Sequence, residues 1–402
     1  MACSVTILPP SRYPVKANVG HPGGLLPCCT GFVRRHTMPP ATEKFPLQEQ
    51  NMPSIQILDS GRIDERESAF PQCAQMPNGD IVCGYCWGAG ASGTGSSDWS
   101  RSTDGGKTWT REGTLLAKTD STGNHLKISG SADGKTLFAY GGRNYREPAE
   151  RFGDGRTEAV FVKSTDGGKT WSGPQAVPMM GFNPIEVSHG ILALKSGRLL
   201  APCATLPKGK LGEQILAAVS DDGGKTWPRH AVVMKDPNGK NGYFEQKLAE
   251  YAPGKLIATA WTVTLSDVAD LENSYTLSSD DGLTWSAPVS TGIRGQTMST
   301  LPLGGDRLLV LYNKRYGDQK IVMHLVTFTD KKWTIHAEET LYDAKAKHEK
   351  PKDIKTGVDE LAAFKFGFPT AVRLKDGTIL ATNWSQESGK TGIRWTKLKV
   401  SW

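Results

Sequence analysis

One octapeptide pattern, S-x-D-x-G-x-x-W, occurs four times and constrains this chain more than any other feature. The copies run from Ser102 to Trp109, Ser164 to Trp171, Ser220 to Trp227 and Ser278 to Trp285. A repeat at a fixed period implies one supersecondary unit per copy, each needing neighbours to bury its apolar face. The chemistry of the pattern is that of a hairpin turn: Asp accepts backbone N–H groups, Gly takes a positive φ, and Trp is expected to pack beneath its own turn. These acids therefore read as scaffold. A calcium loop would need further oxygen ligands at alternate positions and a distal Glu, which the pattern lacks.

A second repeat fills the gaps, an apolar strand, a Gly turn and another apolar strand, around Gly79, Gly134, Gly197, Gly254, Gly305 and Gly377. From this Gly to the Asp of the box is 25, 32, 25 and 26 residues in the first four units, which leaves room for two hairpins in series. Two hairpins make a four-stranded sheet, and such sheets repeated radially make a propeller. The fifth unit keeps a remnant, Thr329-Asp330-Lys331-Lys332-Trp333, and the sixth has no box. Successive boxes lie 62, 56 and 58 residues apart, so residues 52–402 hold six units. The expected fold is all-β, a six-bladed β-propeller of four-stranded antiparallel blades. The early strand Ser54 to Leu58 is expected to close the ring against the last blade and leave no free edge.

Residues 1–51 are Pro-rich and lack hydrophobic periodicity, so a disordered N-terminal extension is expected, with Met52 or Met38 as the functional start. The net charge of +7 is concentrated in two places. Residues 1–51 carry five basic and two acidic residues, and residues 345–355 carry five lysines against Glu349 and Asp353. The remainder is nearly balanced, so no broad basic face for nucleic acid is expected. Seven cysteines in no disulfide spacing read as reduced thiols. Cys83 and Cys86 fall on one strand facing opposite sides, with no second pair, so no metal site is expected. No run of eighteen apolar residues and no signal-peptide stretch is present, which predicts neither membrane insertion nor export and a cytoplasmic protein.

At this point the boxes resemble those of the Asp-box or BNR-repeat sialidases and the propellers related to them. His189-Gly190-Ile191 followed by Gly197 to Pro202 (GRLLAP) is similar to a segment of sialidase third blades. The resemblance implies a substrate carboxylate held by three arginines, a Tyr nucleophile assisted by a Glu, and an Asp acid/base. Carried onto this sequence, the Glu, nine residues before the fourth turn Gly, is Glu245. The first arginine is missing at Ala69-Phe70-Pro71, Trp261 stands at the second, and Phe368 stands where the tyrosine should be. Phe has no nucleophilic oxygen, so the aryl-glycoside route is closed at that position.

The nine-residue offset selects one residue per blade: Phe70, His125, Ser188, Glu245, Gln296 and Phe368. Equivalent offsets share radius and height, so these six are expected to ring the central mouth with His189 beside them. Aromatic faces with a few polar groups suit a sugar, although each residue alone reads as a satisfied polar or apolar group near the axis. Asp98, after the Gly- and Ser-rich loop 88–97, is the candidate acid. Arg143 and Arg146, with the acids of segment 141–158, are candidates for an acidic sugar, or simply belong to a solvated loop. The lysine-rich insertion 343–363 is read as a solvated excursion or a lid. Three functions follow: a glycoside hydrolase using Glu245 and Asp98 without cofactor, on a sugar that need not be sialic acid; a non-catalytic carbohydrate-binding propeller; or a protein-interaction platform.

Overall fold

A computed structural model describes residues 52–145, 155–208, 210–353, 360 and 363–402; the N-terminal expectation and Arg146 lie outside the described residues. Six antiparallel sheets follow one another along the chain, each in a simple meander. Blade one runs Ser68–Gln75, Ile81–Trp87, Ser96–Ser102 and Thr110–Leu116. Blade four runs Asn241–Ala252, Lys255–Thr264, Ser274–Ser278 and Val289–Ser290, and blade five Gln296–Gly304, Arg307–Lys314, Gly317–Phe328 and Trp333–His348. In blades two and three the first strand is interrupted, as Thr122–Asn124 with Lys127–Gly130, and as Ile185–Glu186 with Leu192–Ala193. Blade six is Phe366–Arg373, Ile379–Glu387 and Lys390–Ser401, completed by Ser54–Asp64 from the other end of the chain. Ring closure by the early strand is as the sequence predicts.

The boxes join the third strand of a blade to the fourth. In the first, Oδ1 of Asp104 accepts the amides of Lys107 and Thr108 at 3.0 Å, Oδ2 accepts the Thr108 hydroxyl at 2.6 Å, and the Ser102 hydroxyl accepts the Gly106 amide at 2.8 Å. Asp166, Asp222 and Asp280 each take the amide and hydroxyl of the Thr four residues on. With so many donors around them, these carboxylates are held below the usual range, Asp166 at about 2. In blade five Thr329 replaces the box: its amide donates to the Lys332 carbonyl at 2.8 Å and its hydroxyl accepts the Lys331 amide.

The tryptophans do more than cover their own turns. Trp109 and Trp285 donate to the box glycine carbonyls, at 2.9 Å, but Trp171 packs edge-on against Trp99 of the preceding blade and Trp227 edge-on against Phe161, while Trp333 lies tilted against Tyr275. The box is thus an inter-blade wedge as well as a turn, and the apolar clusters run between adjacent sheets. Cys83 and Cys86 are both fully buried free thiols in this packing. Among the described residues no helix is long and apolar enough to cross a membrane. First strands are the elements that touch their counterparts across blade boundaries, which places them at the axis and sets up the site.

Candidate functional site

Four first strands carry a β-bulge at the same height. Phe70, Glu245, Thr297 and Phe368 have φ of 59°, 53°, 54° and 54°, and each falls inside a register shift of its hairpin. A non-glycine residue in the left-handed region costs roughly 1–2 kcal/mol, and four equivalent cases on one ring mark a constrained mouth. The extra residue of each bulge turns its side chain out of the strand alternation and into a pocket of about 600 Å³.

The fifth member of the expected ring is corrected by this geometry. Counting nine residues back from Gly305 gives Gln296, but the bulge residue that lines the pocket is Thr297, and Gln296 is buried beside it. Arg307 closes the blade-five hairpin by pairing with Gly304, as Lys255 closes blade four by pairing with Ala252. The position equivalent to Gly254 is therefore Asp306, one residue later than the glycine used for the count. Phe70, His125, Ser188, Glu245 and Phe368 do line the pocket together.

Below this ring lies a set of charges. Lys127 and Lys247 each stand two residues past a ring member, and Glu186 two residues before Ser188. Lys127 Nζ lies 2.7 Å from His125 Nδ1 and donates to the Val187 carbonyl at 2.6 Å. Lys247 Nζ donates to the Ser188 carbonyl and sits 3.6 Å from the centroid of the Phe368 ring. Glu186 accepts the Ser188 hydroxyl on one oxygen and the Glu245 amide, at 3.0 Å, on the other, while Glu245 accepts the Thr297 hydroxyl. Arg315 is buried and lines the same pocket, with Nε and Nη1 lacking a hydrogen-bond partner and its guanidinium 4.4 Å from the Phe364 ring.

Burial decides the protonation here. It pulls both lysines down toward neutrality, and pushes Glu186 up to about 7, with the charge of Glu245 adding to the push. Glu245 is also raised by burial, but Arg315, Lys247 and Lys127 hold it back. His125 and His189 are neutral: burial and the neighbouring lysines lower both, His189 to about 3. Both carboxyl groups are thus raised by burial, Glu186 with the charge of Glu245 against it and Glu245 with three cations drawing it back, an arrangement suited to paired acid and base chemistry.

Asp98 is not brought to this pocket. It lies on the third strand of blade one, fully buried, where Oδ2 accepts Arg66 Nη2 at 3.1 Å and Arg111 Nε at 2.6 Å, and Oδ1 accepts the Thr114 hydroxyl at 2.7 Å. The loop before it does reach the mouth, through Ala91, Ser92, Gly93 and Thr94, but the strand resumes at Ser96 and carries Asp98 away. Trp261 is also outside the pocket; it stacks on Phe244 and donates to Asp270 at 3.0 Å. His189 sits behind the wall, its Nδ1 2.8 Å from the Gly190 carbonyl. Arg143 pairs with Glu158 at 3.2 Å, and among the described residues of its segment the arginine that lines the pocket is Arg156, stacked 4.1 Å above the Tyr145 ring.

Several described residues of the lysine-rich insertion are tied to the propeller. Its first part extends the last strand of blade five to His348. Glu360 accepts Tyr316 and His348, both at 2.9 Å, and Lys350 pairs with Asp270 at 2.8 Å. Phe364 and Lys365, just beyond, form part of the pocket wall.

A family model described as the BNR repeat-like domain matches residues 96–381, more than two thirds of the chain. The chain belongs to the BNR repeat-like domain family. No curated protein matches it. Among solved structures this BNR-repeat propeller is similar to a protein of unknown function from Dyadobacter fermentans DSM 18053, at 22% identity and a TM-score of 0.69, over 86% of this chain and 99% of that one. It is also similar to the intramolecular trans-sialidase of Ruminococcus gnavus, at 13% identity and a TM-score of 0.56, over 83% and 94% of the two chains. A third is the α-L-arabinanase of Penicillium chrysogenum complexed with arabinobiose, at 16% identity and a TM-score of 0.56, over 85% and 98%. At these identities the likeness is one of fold: a sialidase-like BNR propeller whose structural neighbours include glycoside hydrolases.

Proposed function

We propose that this BNR-repeat propeller is a glycoside hydrolase, with the axial pocket as its active site, Glu186 as general acid and Glu245 as general base. The observation that carries the reading is the pair itself: two carboxyl groups in one sugar-sized pocket, joined through the Glu245 amide, with cations drawing Glu245 back and the charge of Glu245 pushing Glu186 up. Glu186 replaces Asp98 as the acid because Glu186 lines the pocket, whereas Asp98 is buried outside it among Arg66, Arg111 and Thr114. Glu245 removes the proton of an attacking water, a role supported by Phe368 offering no oxygen for a covalent intermediate. Arg315 and Arg156 supply donors for the polar groups of the glycan, and Phe70 and Phe368, edge to face at 5.4 Å, supply apolar surface for a ring.

That aromatic pair also supports a second reading, a carbohydrate-binding propeller without turnover. Hydrolysis of a panel of chromogenic sialosides, uronides and neutral glycosides separates the two. The hydrolase reading expects release from at least one, lost in both Glu186→Gln and Glu245→Gln with glycan binding retained. Binding of a glycan with no release from any of its glycosides would establish the second reading instead.

A further inference from the structure

Lys127 has a function the hydrolytic scheme leaves unused. Its Nζ is enclosed in the pocket wall, 5.8 Å and 5.4 Å from the Phe70 and Phe368 ring centroids, within 2.7 Å of His125 Nδ1 and bonded to the Val187 carbonyl. A neutral amine has two N–H bonds; with His125 as its Nε2–H tautomer, Nδ1 and the Val187 carbonyl take both, and the lone pair is left for an electrophile. Burial of this amine outweighs the pull of Glu186 and Glu245 on its proton, and desolvation in a pocket wall is an arrangement that makes a lysine nucleophilic. Lys247 itself is turned away from the cavity, under Phe368 and bonded to Ser188.

We infer that Lys127 is a carbonyl-reactive amine, and that the pocket forms a Schiff base with 2-oxo acids whose carboxylate is taken by Arg315. The choice of 2-oxo acid rests on Arg315, a buried guanidinium on the same cavity with two unpartnered N–H-bearing nitrogens, a donor set matched to a planar carboxylate. In the addition, the Nζ lone pair forms the C–N bond while the carbonyl π pair takes a proton from Glu186, giving a carbinolamine. Nitrogen then returns a proton to Glu186, and its remaining pair expels the hydroxyl, which leaves as water after reprotonation by Glu186. The iminium returns its N–H proton to Glu186, so the sum is amine plus ketone to imine plus water, with no oxidant or reductant.

The inference stands apart from glycoside hydrolysis, because the adduct requires no glycoside and is read by mass. The full chain is incubated with pyruvate and sodium cyanoborohydride, and the product is mapped by peptide mass spectrometry. The expected result is a single reduced pyruvate adduct on Lys127, absent from Lys127→Met and retained in Lys247→Met. In Arg315→Met the yield with pyruvate falls to that with neutral glycolaldehyde. Adducts spread over exposed lysines, an adduct on Lys247, or no adduct would overturn the assignment. Should Lys127→Met fail to fold, the wild-type peptide map alone decides. Equal wild-type yields from pyruvate and glycolaldehyde would overturn the role given to Arg315.

Discussion

The backbone amide of Glu245 donates to a carboxyl oxygen of Glu186 across 3.0 Å, so that the two acids of the pocket are linked by main chain and not by a shared proton. Glu186 titrates near 7 in the folded protein against 4.5 for an unconstrained Glu. Between those values the native state holds a proton that the unfolded chain has released, so stability falls as pH rises through the window, by up to about 3 kcal/mol. Glu186→Gln has no such term. Thermal melts are expected to give a difference in Tm, variant minus wild type, that grows from about pH 5 to about pH 8; a constant difference would contradict the raised titration.

Asp166 has the opposite sign. Its carboxylate is held at about 2 by the Thr170 hydroxyl and amide, against 3.8 in the free residue. The stability it contributes is complete above the unfolded value and lost as pH falls through the folded one. Asp166→Asn is expected to melt below the wild type near neutrality, and the two Tm values should converge in acid. Parallel curves at all pH values would show that the box works through shape and not charge.

Steric contact behind His125 gives a third expectation. A Cβ on Gly141 would lie 2.2 Å from the His125 carbonyl oxygen, whereas one on Gly173 would meet nothing within 4 Å. Gly141→Ala should lose about 1–3 kcal/mol through overpacking, while Gly173→Ala should be neutral or slightly stabilised. Chemical denaturation of the pair reads the contrast directly, since both positions have ordinary backbone angles.

Thr297 tunes the proposed base. Its hydroxyl donates to Glu245, and that bond favours the ionised form. Thr297→Val keeps the β-branched shape and removes the donor. On any glycoside the protein cleaves, the acid limb of the kcat/KM profile should move to higher pH, by about 0.5–1 unit for one lost hydrogen bond. A limb that stays in place would separate Glu245 from the base role.

The propeller and its closure were legible because turn chemistry is local: Asp, Gly and Trp at fixed offsets specify a hairpin wherever they occur. The ring was legible for the same reason, and failed at Gln296 where a turn of different build put Asp306, without glycine's mark, at the counting position. Asp98 was misplaced because loop 88–97 reads as long enough to carry it to the mouth, whereas the third strand resumes two residues before it. Lys127, Lys247 and Arg315 carry no signal in the sequence, since long cationic side chains ordinarily face water. Nothing local distinguishes these three from a surface lysine or arginine; only the convergence of separate blades on one axis puts them inside. Glu186 followed the same pattern, with its partner Glu245 supplied by the next blade.

The strand Ser54–Asp64 pairs with Lys390–Ser401, which is synthesised after all the other blades. Through most of synthesis the earlier segment has no partner, and blade six cannot form from what is already made. Contacts so distant in sequence slow the final step of folding. The wall of the pocket contributed by Phe368 and Trp384 therefore assembles only once both ends of the propeller have been made, and ligand binding becomes a readout of a closed ring.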